Sequence, residues 1–196
     1  FSPSDVRNML NVARSYPSPN APLRPMVLYT MVLLAYCAGL RRSELARLDL
    51  GDVDFQSGTI TIRQTKFYKT RILPLTGSVL AELRAYIDAR QRAGAPQTPD
   101  SGLFWHGHFN DRYTPRSVST MITDVMRRAG FKAPTGRTGP RVHDLRHSMV
   151  VNRILQWYRA GVNPQDKLHF LSPYMGHRDI NSTLVYITVT QDLLQE

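Results

Sequence analysis

The reactive potential of this 196-residue chain is concentrated in four short pieces. The first is Ala38-Gly39-Leu40-Arg41-Arg42-Ser43-Glu44-Leu45, and the second is a polar stretch from Gln64 to Thr70 that carries Lys66 and Lys69. The third is His143-Asp144-Leu145-Arg146-His147, and the fourth is Met175-Gly176-His177, followed nine positions later by Tyr186. Together they suit attack on a phosphodiester. Such a reaction spreads negative charge over the non-bridging oxygens of a crowded phosphorus, and two guanidinium forks can hold that charge without a metal. Arg146 can supply one fork. Arg41 and Arg42 point about 100° apart on a helix, so one of the two faces a shared site. His143 and Arg146, three apart on a predicted helix, project from one face toward one ligand. An imidazole with a pKa of about 6.5 can take a proton from a phenol and later return it. A tyrosine, with a pKa of about 10, needs such a base and a positive field before it can attack. The leaving alkoxide needs an acid, and a lysine on a mobile loop is a natural donor.

The elements that must position these side chains follow from periodicity and punctuation. Ser2-Pro3-Ser4-Asp5 reads as a helix start, with Ser2 as N-cap and an amphipathic run to about Ser15. Leu23 to Ala38 is apolar nearly all round and predicts a central buried helix ending at Gly39, with Ser43 capping a further turn to Leu48. Thr59 to Arg63 alternates, and Arg71 to Leu75 is a second short strand, so Gln64 to Thr70 forms the tip of a hairpin. Helices are predicted over Thr76–Arg92, Pro115–Gly130, His143–Ala160, Pro164–Leu171 and Asn181–Thr188. Gly94–Asp100 and Lys132–Pro140 read as loops. The expected fold is mainly α with one small antiparallel β-sheet, an α+β arrangement in a single domain over residues 1–196.

Composition narrows the partner. Twenty-five basic residues against fifteen acidic give a net charge of +10. All but Lys66, Lys69, Lys132 and Lys167 are arginines, whose planar fork grips phosphate bidentately, so nucleic acid is the first candidate. The single Cys37 cannot form an internal disulfide, and it fits a reducing, cytoplasmic setting. The longest apolar run, Met26 to Leu40, is too short to span a bilayer, and no signal peptide precedes it. His106-Gly107-His108 is a possible metal pair, but no third ligand stands nearby, and no metal or other cofactor is expected. The chain starts at Phe1 and is read as a fragment of a longer protein.

In their order and spacing the four pieces resemble the tyrosine recombinase family, which includes the phage integrases and the bacterial Xer recombinases. The resemblance runs from about Ser2 to Tyr186. It implies an integrase-like catalytic domain and selects Arg41 over Arg42 through the Gly-Leu-Arg-x-x-Glu-Leu pattern. It places Lys66 as the hairpin lysine with Lys69 in reserve, His143 and Arg146 in the His-x-x-Arg motif, His177 as the later histidine and Tyr186 as nucleophile among nine tyrosines. Glu44 would orient the active-site arginine or form a surface ion pair. His147 would support the site from behind or simply pack, and Arg42 and Lys69 would touch DNA. The implied activity is cleavage and rejoining of double-stranded DNA at specific sites through a 3′-phosphotyrosyl link, without ATP. The resemblance also implies a tetramer on DNA and an upstream DNA-clamping domain outside this chain. Two rivals are relaxation by a type IB topoisomerase-like enzyme and a non-catalytic DNA-binding protein on the same scaffold. A metal-dependent nuclease would require clustered carboxylates.

Overall fold

The computed structural model describes residues 1–63, 70–107, 111–176, 183–187 and 190. Helix α1, Pro3–Arg14, begins with a reciprocal cap in which Ser2 Oγ accepts the Asp5 N–H and the Asp5 carboxylate accepts the Ser2 N–H at 2.8 Å. Its buried residues Val6, Met9 and Ala13 recur at helical spacing and pack on α2, Arg24–Cys37. Helix α2 is the hydrophobic axis of the molecule, with neighbours on several sides, as its uniformly apolar sequence predicts. It ends where Gly39 adopts a left-handed φ of +61° and the Leu40 N–H reaches back to Leu34 O. That reversal sends the chain directly into α3, Arg42–Arg47.

Here the structure corrects the expected cap. Arg41, in extended conformation, is the N-cap residue, and Ser43 lies inside the first turn. The missing cap function is supplied by Glu44, whose carboxylate accepts the Arg41 N–H at 2.9 Å.

A 3₁₀ turn, Leu50–Asp52, leads to a three-stranded antiparallel sheet of β1, Val53–Asp54, β2, Thr59–Ile62, and β3, Arg71–Pro74, in that order. Ile62 pairs with Arg71, and Ile60 with Leu73; Ile60, Ile62 and Leu73 are buried in the main core. The predicted hairpin therefore exists, with β1 as an added edge strand. Helix α4, Gly77–Arg92, follows, and then a two-stranded ribbon of β4, Trp105–His106, and β5, Asp111–Arg112. Helix α5, Pro115–Arg128, is capped by Thr114, which accepts the Ser117 N–H. Helix α6, Val142–Arg159, starts with Asp144 accepting the Arg141 N–H at 2.7 Å.

The predicted helix over Pro164–Leu171 divides into a 3₁₀ turn, Pro164–Lys167, and α7, Leu168–Met175, which runs through Pro173. Residues 183–187 are helical. Tyr186 and Ile187 join Val150, Ile154, Leu168, Leu171 and Met175 in a second core cluster under α6. The architecture is thus mainly helical with small antiparallel sheets, as the sequence led one to expect.

Candidate active site

The site forms where the end of α2, the start of α3, β3, the first turns of α6, the end of α7 and the helical segment 183–187 converge. Arg146 lies at its centre. It is 1% exposed, yet its guanidinium is anchored on two main-chain carbonyls. Nη1 donates to Gly39 O at 2.6 Å, and Nη2 donates to Met175 O. Burial, then the neighbouring Arg41 charge, push this guanidinium down to about 9, so it remains a cation at neutral pH.

A second cationic group flanks it. Arg41 Nη1 donates to Glu44 Oε1 at 2.9 Å, while Arg71 on β3 grips the same carboxylate with both forks, Nη1 to Oε1 and Nη2 to Oε2, each at 2.9 Å. The Glu44 and Arg71 side chains are 5% and 10% exposed, whereas that of Arg41 is 26% exposed and retains access to solvent. Burial pushes the Glu44 carboxyl up, but Arg71 and then Arg41 outweigh it and leave the group below its ordinary value. Two guanidiniums thus share one carboxylate, with Arg146 close by, leaving an excess of positive charge suited to an anion.

On the other side of Arg146 stands the phenol. Tyr186 is 8% exposed, and its hydroxyl lies 2.5 Å from His147 Nδ1. The His147 ring is met edge-on by that of His143, with centroids 4.4 Å apart and planes at 89°, and His143 is the exposed member of the pair. Burial raises the Tyr186 phenol above its ordinary value, against the pull of Arg146 and Arg41. Burial also holds His147 below the ordinary imidazole value, with Arg146 reinforcing the effect and Asp144 opposing it. His143 is lowered too, by burial first and then by His147, Arg146 and Arg41, with Asp144 again opposing. At neutral pH the pair is therefore a protonated phenol hydrogen-bonded to a neutral imidazole, beside the Arg146 and Arg41 cations. This arrangement can deliver an oxygen nucleophile to a phosphodiester.

The sequence matches the phage integrase family over residues 1–192. The chain belongs to that family. It is 33% identical over 198 residues to a Sinorhizobium fredii (strain NBRC 101917 / NGR234) protein named integrase/recombinase y4rB, with all of this chain and 63% of that protein covered. Its fold is similar to that of a XerH site-specific recombinase bound to difH substrate, with a TM-score of 0.72 at 18% identity over 95% of this chain and 49% of that one. It is also similar to the catalytic domain of bacteriophage HP1 integrase, with a TM-score of 0.61 at 19% identity over 100% of this chain and 90% of that one. The chain spans between 43% and 63% of the length of the first curated relatives it matches.

Of the residues that the sequence singled out, the structure brings Arg41, His143, Arg146 and Tyr186 together, with Glu44 and His147 among them. Lys66, Lys69, His177 and His108 lie outside the described residues. Arg42 turns away from the pocket; it is exposed, and its Nη1 donates to Ser119 Oγ on α5 at 3.3 Å. Glu44 is the buried hub of two arginines, so the surface ion pair is excluded. The proton acceptor was expected to be His143, but the residue in contact with the phenol is His147, one helical turn further along α6. Arg71 escaped the sequence reading altogether. Its only signal was position, since it shares the inward face of β3 with the buried Leu73 two residues on. Among the described residues no three His, Cys, Asp or Glu side chains gather to hold a metal ion, and no helix is long and apolar enough to cross a membrane.

Proposed function

We propose that this chain is the catalytic domain of a site-specific DNA recombinase that cuts and rejoins strands through a covalent bond to Tyr186. The observation that carries this reading is the Tyr186 hydroxyl, hydrogen-bonded to a ring nitrogen of His147 within the field of Arg41 and Arg146. A phosphodiester bound against Arg41 presents its phosphorus to the phenol oxygen, and the arginines take up the charge of the five-coordinate transition state. The products are a 3′-phosphotyrosyl link and a free 5′-hydroxyl. The link conserves the energy of the broken diester, so rejoining to a new 5′-hydroxyl needs no ATP. Lys66 protonates the leaving 5′ oxygen, and His177 hydrogen-bonds a non-bridging oxygen, both by their place in the sequence pattern. The partner is double-stranded DNA carrying specific recombination sites, engaged in the cytoplasm by four catalytic units, with a further domain of the whole protein clamping the far side of the duplex.

The test uses nicked suicide duplexes drawn from the DNA on either side of the gene, in excess EDTA, with wild type and Tyr186→Phe resolved on denaturing gels. Wild type should form a protein–DNA band that survives denaturation, and Tyr186→Phe should form none. A band that persists in Tyr186→Phe, or one that disappears on chelation, refutes the proposal.

A further inference from the structure

We propose that Arg71 is a positioning residue that keeps Arg41 available to the scissile phosphate, by occupying the Glu44 carboxylate that would otherwise claim the whole Arg41 guanidinium. The inference rests on the function proposed above.

The division of the carboxylate is the first support. Glu44 accepts four hydrogen bonds, each at 2.9 Å: Oε1 takes Arg41 Nη1 and Arg71 Nη1, and Oε2 takes the Arg41 main-chain N–H and Arg71 Nη2. An ionised carboxylate has about four acceptor sites, so this one is saturated. Arg71 commits both prongs of its fork to Glu44, whereas the Arg41 guanidinium commits a single nitrogen. Among the described residues no other acceptor binds the Arg41 guanidinium, and its side chain is the more exposed of the two.

Charge is the second support. Two cations share one anion, so one positive charge stays uncompensated beside Arg146. Without Arg71 the match would be one to one. A carboxylate that is 5% exposed cannot fall back on water, and the favoured arrangement of arginine with carboxylate is bidentate. Glu44 would then draw the Arg41 fork onto both its oxygens, cancel its charge and turn it from the phosphate.

Packing is the third support, because it fixes Arg71 independently of any substrate. Arg71 is the first residue of β3 and pairs with Ile62 at the end of β2, so its backbone belongs to the base of the hairpin. Its side chain passes against Gly176, where a Cβ would lie 2.9 Å from Arg71 Nη1 and 3.3 Å from Cζ. Glycine there serves the left-handed φ of +63° and also leaves room for the nitrogen that binds Glu44 Oε1. The guanidinium is thus seated between the end of α7 and the start of α3, and it acts on the phosphate only through Glu44 and Arg41.

The test compares adduct formation on two suicide duplexes, one with an ordinary scissile phosphodiester and one with a neutral methylphosphonate at that position. Arg71→Gln should slow the reaction of the phosphodiester by on the order of 100-fold, the cost of losing one donor to a charged transition state. On the methylphosphonate, which lacks the charge that Arg41 compensates, its rate should approach that of wild type. A general folding defect would slow both reactions alike. Adding Glu44→Gln to Arg71→Gln removes the carboxylate that captures Arg41, so the double variant should react faster on the phosphodiester than Arg71→Gln alone. Arg71→Lys keeps the cation without the fork, and it should show a smaller defect that is again relieved on the methylphosphonate.

A wild-type rate for Arg71→Gln on the phosphodiester, equal defects on the two duplexes, or a double variant no faster than the single one overturns the assignment. An adduct in Tyr186→Phe, or none in wild type, would instead overturn the function proposed above. A crystal structure of Arg71→Gln, or of Arg71→Lys if the first does not fold, tests the inference without DNA. It should show Arg41 turned further onto Glu44, and an Arg41 that still gives the carboxylate a single guanidinium nitrogen in Arg71→Gln overturns the proposal.

Discussion

Replacing Glu44 by glutamine removes the charge that holds Arg41 and Arg71 at the edge of the candidate site, and its cost can be worked from the geometry. The carboxylate is 5% exposed and pairs bidentately with Arg71, which is 10% exposed, and singly with Arg41, which is 26% exposed. Breaking a buried ion pair by removing one partner costs about 3–5 kcal/mol, because the remaining charge stays desolvated. Glutamine keeps the shape and one acceptor oxygen, so the low end, about 3 kcal/mol, is expected. With a urea dependence of about 2 kcal/mol per molar, the unfolding midpoint falls by about 1.5 M. Glu82→Gln is the internal control. Its ion pair with Arg14 is 36% and 61% exposed, so loss of at most about 1 kcal/mol and a shift below about 0.5 M follow.

Acid links the effect to ionisation. The folded-state pKa of Glu44 is depressed, so its stabilisation is present above the ordinary glutamate value of about 4.3 and is lost as pH falls through the lower folded value. The gap between wild type and Glu44→Gln should therefore be full at pH 7 and close toward pH 3. A midpoint for Glu44→Gln that matches Glu82→Gln at pH 7, or a gap that does not change with pH, refutes the buried-hub reasoning.

Two further outcomes follow from the same surroundings. Gly39→Ala places a Cβ at φ +61°, 2.6 Å from Met149 Cε, so a loss of about 2 kcal/mol and a fall in Tm of about 4–8 °C are expected by scanning calorimetry; an unchanged Tm contradicts the left-handed turn. His143 and His147 both have lowered folded-state values, so their contribution is complete above the ordinary imidazole value of about 6.5 and is lost as pH falls below it. Urea midpoints should drop between pH 7.5 and 5.5 in wild type and drop less in a His143→Gln, His147→Asn double variant, and equal drops would show that these histidines do not resist protonation on folding.

What was legible in the sequence was local. Helix α2 announces itself by being apolar on every side between Pro25 and Gly39, and β2 and β3 do so by alternation. The sequence misplaced features that tertiary partners decide. Ser43 is the better N-cap residue by type, yet Arg41 occupies the cap because Glu44 accepts its N–H while also being held by Arg71 from β3. Pro173 argues for a helix ending before it, yet α7 continues to Met175, whose carbonyl is taken by Arg146 from another helix. The contact of the phenol with His147, where His143 was expected, has the same origin. Both lie on one face of α6, and only the approach of residues 183–187 determines which of them meets the phenol.

Arg146 shows why the site and the fold cannot be separated in this chain. A cation that is 1% exposed needs compensation, and it is supplied by carbonyls at the ends of α2 and α7. Those are the ends at which helices leave acceptors unpaired and carry partial negative charge. The same two bonds fix Gly39, two residues before Arg41, and Met175, directly before the left-handed Gly176. A guanidinium buried between two helix ends thus also sets the spacing between Arg41 and Tyr186. Loss of activity in an Arg146 variant is therefore informative only beside a measurement of the Arg41–Glu44–Arg71 cluster, since an altered Glu44 titration would show that the pocket itself had come apart.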